Sequence, residues 1–202
     1  MSSPTRGPRP VRLAVPGRSL LLVAGMPGAG KSTLLAGLPD VPGLVVVDSE
    51  TYRVQLRRVF GALPYGGYRP LVHLLHRLAV VVAASSRAPT VVIHLPATKP
   101  GTRAAVARLA ALTGRAAHLL WLHVDPAVAR RGQCERGRVV PESSFAGHAA
   151  RAVVTAAELR DRPPPGWRSV TVLDRARGRG GLVLDTTPSP PVGTGVGGPP
   201  HK

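Results

Sequence analysis

The sequence predicts an α/β protein, a three-layer sandwich around a parallel sheet of about five strands. Two observations carry that expectation. Short apolar runs rich in β-branched residues alternate with segments of helical spacing from Leu20 onward, the pattern of parallel strands joined by crossover helices. Glycine-rich or polar stretches follow directly on those runs, where an open sheet of this kind gathers ligand-binding groups at the carboxyl ends of its strands. The 202 residues are 44% hydrophobic, enough to bury the core of one such domain with tails to spare.

The first element is the most informative. In SLLLVAGMPGAGKSTLL, from Ser19 to Leu35, a buried-type strand runs into a glycine-rich turn and then a helix start. Gly25, Gly30, Lys31 and Ser32 fit G-x-x-x-x-G-K-[ST], which makes the stretch a phosphate-binding loop. Gly25, Gly28 and Gly30 permit close backbone approach and positive φ. Successive backbone N–H groups can then surround phosphates while Lys31 reaches the β/γ oxygens and Ser32 a Mg²⁺ ion. The nucleotide-binding set is Gly25, Gly28, Ala29, Gly30, Lys31, Ser32 and Thr33, with Ser32 as the metal-binding hydroxyl, and the cofactors are ATP and Mg²⁺.

The helix from Lys31 ends near Leu38, because Pro39 and Pro42 forbid its continuation. Leu44 to Val47 is the second strand, and Asp48, Ser49 and Glu50 stand at its end. Thr51 to Phe60 reads as an exposed helix, with Arg53 near its start. Gly61 to Pro70, full of turn formers, reads as a loop over the site. Leu71 to Ser85 has the i, i+3, i+4 spacing of a core-facing helix. It carries His73 and His76, and no third ligand nearby supports a metal site. Thr90 to Leu95 is the third strand, ending in His94. A helix over Arg103 to Thr113, capped at Gly114, leads to a fourth strand over Ala117 to Val124. Asp125 and Pro126 open another helix, followed by the arginine-rich RRGQCERGR, and a last helix spans Glu142 to Leu159. Ser169 to Leu173 makes the fifth strand, with Gly181 to Leu184 pairing beside it.

Composition bounds the rest. The formal charge of +17 points toward anions, yet nearly all of it is arginine amid abundant Ala, Gly, Pro and Val, residues that share GC-rich codons. Aromatic residues make up 3%, too few for the stacking platform of a single-strand binder, so nucleic acid is a partner not favoured. Cys134 is alone, which excludes a disulfide framework within the chain and fits a reducing, cytoplasmic interior. The apolar runs are too short to span a bilayer, so no membrane partner is expected. Residues 1–18 read as a disordered basic arm, 19–186 as the ATP-binding domain, and 187–202 as a disordered Pro/Gly tail.

Over roughly Leu20 to Leu159 the chain resembles the P-loop kinase-like ATPases labelled AAA-type ATP-binding domains, near polynucleotide 5′-kinases, zeta-toxin-like and antibiotic phosphotransferases. The resemblance rests on GMPGAGKST, on VVVDSETYR, on the third-strand end with Thr98 and Arg103, and on RRGQCERGR. It implies a P-loop fold of the kinase type and transfer of the γ-phosphoryl group of ATP to a hydroxyl of a small molecule or nucleotide. It also implies a general base after the second strand, which falls on Asp48 or Glu50. Strand-end position favours Asp48, and distance from Arg53 favours Glu50. Arg53 would bind acceptor or phosphate, the arginine-rich segment would form a lid near 128–140, and Arg131 and Arg136 would serve as its arginines. Where such relatives carry an acid in a D-A-T-N-like run, this chain has His94, a departure that leaves a nucleotide-binding regulatory ATPase without a dedicated acceptor as the alternative.

Overall fold

The computed structural model describes residues 9–39, 42–135 and 141–187. Its elements are β1 (Val11–Ala14), β2 (Ser19–Ala24), α1 (Lys31–Ala36), β3 (Leu44–Asp48), α2 (Ser49–Val59), α3 (Tyr65–Ser85), β4 (Thr90–His94) and α4 (Pro100–Leu112). There follow β5 (Ala116–His123), α5 (Pro126–Cys134), α6 (Glu142–Asp161), β6 (Ser169–Asp174), α7 (Arg175–Gly178) and β7 (Leu182–Asp185).

Five strands form one parallel sheet in the order β3-β4-β2-β5-β6, with helices packed on it as the alternating sequence pattern requires. β2 lies in the middle, and all six of its residues are buried, which is why it reads as an uninterrupted apolar run. Trp121, Leu119 and Leu120 of β5 and Ile93 of β4 complete the centre of the core beside it. The chain leaves β2 for the β3 side and returns past it to β5, so the carboxyl end of β2 is where the winding reverses. A ligand crevice is expected at such a place.

The opposite edge is held by buried polar groups. Arg115, 4% exposed, donates to the carbonyls of Ala84, Ser86 and Ala88 at 2.6, 2.9 and 2.9 Å and to that of Ser19 at 3.2 Å. One guanidinium thereby fastens the end of α3 and the turn into β4 to the start of β2. His118 bridges Ser19 and Ser169, at 3.4 and 2.8 Å, across the first residues of β2 and β6.

Four expectations change. Val11 to Ala14, placed by sequence in the arm, is a strand, because Leu13 and the following Val15 are buried and β1 pairs in parallel with β7. The pairing also moves Leu182 to Asp185 away from β6 into this separate two-stranded sheet. The expected loop over Gly61 to Pro70 turns helical from Tyr65, since Tyr68, Val72, His76 and Val80 form one buried stripe at i+4 spacing that carries α3 back through Pro70. α4 likewise starts at Pro100, at the first-turn position where proline costs no hydrogen bond. Residues 1–8 of the expected arm, 136–140 of the expected lid and 188–202 of the expected tail lie outside the described residues. Among the described residues no helix is long and apolar enough to cross a membrane.

Candidate active site

The glycines of the loop are dictated by crowding as well as by φ. A Cβ at Gly25 would stand 2.5 Å from the Leu122 carbonyl oxygen, and one at Gly28 would stand 2.2 Å from that of Ala129. The turn therefore lies directly against the ends of β5 and α5. Gly30, at φ 101°, opens α1 from the left-handed region. Lys31 is buried, and its Nζ donates to the carbonyls of Gly25 at 2.8 Å and Met26 at 3.0 Å, so the ammonium is held over the loop. Gln133 Nε2 donates to the Pro27 carbonyl at 2.9 Å, fastening α5 to the same turn.

A cavity of about 800 Å³ opens from this loop along the carboxyl edge of the sheet. Gly28, Lys31 and Ser32 line one part of it. Asp48 and His94, at the paired ends of β3 and β4, line the next, and Glu50, Arg53 and Arg57 of α2 face Tyr65 and Arg69 of α3 across the remainder. Asp48 caps α2 by accepting the Glu50 N–H at 3.0 Å through Oδ1. Its Oδ2 lies 2.7 Å from His94 Nδ1, an approach too oblique to the ring N–H for an aligned hydrogen bond but close enough for strong attraction. Burial works against the Asp48 anion. The contact and charge of His94 and the Glu50 N–H outweigh it and hold the carboxyl below its ordinary value. Glu50 lies 3.8 Å from Arg53 Nε, and the Arg53 guanidinium stands over the Tyr65 ring at 5.5 Å.

The structure thus brings Lys31, Ser32, Gly28, Asp48, Glu50 and Arg53 to one cavity. Gly25 and Ala29 sit in the turn behind it, Thr33 is exposed on α1, and Arg131 is exposed on α5 away from the cavity wall. Arg136 lies outside the described residues. Arg103 is buried under Trp121 and donates to the carbonyls of Ala97 at 2.9 Å and Thr98 at 3.2 Å, where Ala97 takes a positive φ of 45°. It braces the turn after β4 from within the core. Tyr65 and Arg69, from the stretch expected over the site, line the cavity, and Arg57, His73 and Gln133 line it without having been expected there. Arg57 was detectable, four residues after Arg53 and on the same helical face.

A parallel sheet with a glycine-rich lysine loop at the reversal of its winding defines a P-loop nucleotide-binding protein of the kinase type. The match to the family described as AAA domain spans residues 20–156, and the chain belongs to that family. No curated protein matches the sequence. Among solved structures, the chain is similar to one from the PezAT chromosomal toxin-antitoxin system of Streptococcus pneumoniae. The TM-score is 0.55 at 17% identity, covering 86% of this chain and 72% of that one. It is also similar to a candidate kinase from Chloroflexus aurantiacus, with a TM-score of 0.57 at 13% identity over 80% of this chain and 86% of that one. At such identities the likeness is one of fold.

Proposed function

We propose that the chain is an ATP-dependent phosphotransferase that moves the γ-phosphoryl group to a hydroxyl of a small molecule or nucleotide. One observation carries the reading: the phosphate loop with Lys31 and Ser32 and the carboxylates Asp48 and Glu50 line a single cavity, so donor and acceptor can meet there. The donor set fits a nucleotide, since it pairs a buried lysine with a hydroxyl at the start of a helix. Mg²⁺ carried with ATP would offset charge on the β/γ-phosphates, and the Ser32 hydroxyl is the ligand the loop offers it.

Lys31 would exchange its carbonyl contacts for phosphate oxygens. Asp48, at the strand end, would take the acceptor proton, with Glu50 as the other carboxylate in reach of the cavity. Arg53 would orient acceptor or phosphate, and Arg131 and Arg136 would supply positive charge when the lid closes. A screen of ATP consumption against pooled nucleosides, oligonucleotide 5′ ends, sugars and hydroxylated amines tests the reading. Turnover that rises with one acceptor class supports it.

The second reading, a regulatory ATP binder without an acceptor, draws on the His94–Asp48 contact, which engages the strand-end carboxylate. Tight ATP binding with no transfer to any pool would favour it.

A further inference from the structure

We propose that the acceptor is a small hydroxylated anion whose carboxylate or phosphate is held by Arg57 and Arg69. The inference rests on the phosphotransferase reading and narrows its acceptor.

Lys31, Arg53, Arg57 and Arg69 line the cavity, against the carboxylates of Asp48 and Glu50. Both carboxylates are already engaged, Asp48 with His94 and Glu50 with Arg53. Among the described residues neither Arg57 nor Arg69 has a carboxylate partner. Positive charge therefore remains on the α2–α3 side of the cavity after the loop's own lysine is set aside. That side is also distant from the strand ends, because Arg57 is eight residues along α2 from Ser49, about 12 Å at the helical rise.

The two arginines are disposed for an anion. Arg69 Nε donates to His73 Nε2 at 3.2 Å, which fixes the guanidinium and leaves its terminal N–H groups for a ligand. Burial and the charges of Arg69 and Arg77 hold His73 below its ordinary 6.5, so the ring is neutral and accepts. Arg57 continues the Glu50–Arg53 face of α2 by a further turn. Tyr65 and Tyr68, edge to face at 5.4 Å, stand close by, with Tyr65 under Arg53 and on the cavity wall. A guanidinium fork matches carboxylate and phosphate oxygens in pairs. A cavity of about 800 Å³ has the size of a small-molecule site rather than of a groove for a polymer.

Equilibrium titration of the full chain, saturated with a non-hydrolysable ATP analogue and Mg²⁺, tests this with matched probes. Galacturonate against galactose forms the carboxylate arm, and ribose 5-phosphate against ribose the phosphate arm, each extended by a pool of related hydroxy acids or phosphorylated alcohols with neutral counterparts. In at least one arm the charged members should bind roughly tenfold more tightly or better, and the Arg57→Gln/Arg69→Gln double variant should lose that preference. Both residues are exposed, so the variant keeps the core intact. Arg57→Lys, which keeps the charge and loses the fork, should fall between. Equal binding of charged and neutral members in both arms, or a preference that survives the double variant, overturns the proposal. Phosphoryl transfer from ATP, measured on the same probes, separates the two readings. Anion binding without transfer to any acceptor counts against the phosphotransferase and leaves the anion site standing. Transfer to alcohols without regard to charge does the reverse.

Discussion

His94 Nδ1 lies 2.7 Å from Asp48 Oδ2 across the paired ends of β3 and β4, so the strand-end carboxylate of β3 is tied to the imidazole that ends β4. The contact keeps Asp48 ionised and places it beside Lys31 and Ser32 on the cavity wall. Asp48→Asn keeps the shape and removes the basicity. Phosphoryl transfer should fall by about 10²- to 10⁴-fold, the range for one positioned base, with nucleotide affinity little changed. If Glu50→Gln gives that pattern while Asp48→Asn stays active, the base is Glu50. A loss confined to Mg²⁺-dependent ATP binding would instead make Asp48 a metal-side acid.

Gly28→Ala should damage both fold and site. The new Cβ would meet the Ala129 carbonyl at 2.2 Å from a backbone at φ +87°, and neither backbone can yield cheaply. A loss of about 1–3 kcal/mol is expected from the overpacking alone. Urea unfolding and nucleotide titration should both show the defect, and a variant with unchanged midpoint and affinity would contradict the packing described for the loop.

Removing residues 1–16 should destabilise the domain. Val15 is fully buried and Leu13 nearly so, and burial of side chains of that size is worth about 1.5–3 kcal/mol each. An unchanged urea midpoint would return this segment to the disordered arm that composition alone indicates.

Stability should fall on the acid side of neutrality. Burial, more than any neighbouring charge, holds His76, His118 and His148 below the ordinary 6.5. Below that pH the unfolded chain binds protons that the native state refuses, so the contribution is full above 6.5 and is lost as pH falls toward the native values. Asp48 adds a later loss. Its contribution is full above the ordinary 3.8 and disappears as pH drops through the lower native value. A Tm that is flat from pH 8 to 5 would contradict the neutral buried histidines.

Much of the sheet was legible because its strands are buried on both faces and read as continuous apolar runs, Leu20 to Ala24 and Val91 to Ile93 above all. The phosphate loop was legible because its chemistry demands particular residues at fixed spacing. What escaped depends on contacts distant in sequence. β1 is a four-residue strand whose partner lies some 170 residues away, and its pattern is masked by the flanking prolines and arginines. The start of α3 is set by burial of Tyr68 beneath α2, which overrides the local preference of Gly66, Gly67 and Pro70. Arg103, named only for its place near the third-strand end, turned inward because the carbonyls of Ala97 and Thr98 needed a donor.

The central claim is that the cavity transfers phosphate from a nucleotide held by Lys31. The most direct measurement follows the γ-label of ATP into an acceptor pool, with the native chain and with Lys31→Ala. The account predicts a labelled acceptor product from the native chain and its loss, by about 10²-fold or more, in the variant, because the buried ammonium is the loop's charge on the β/γ-phosphates. Labelled product formed equally well by Lys31→Ala, or ATP bound tightly by the native chain with no label passed to any acceptor, would contradict it.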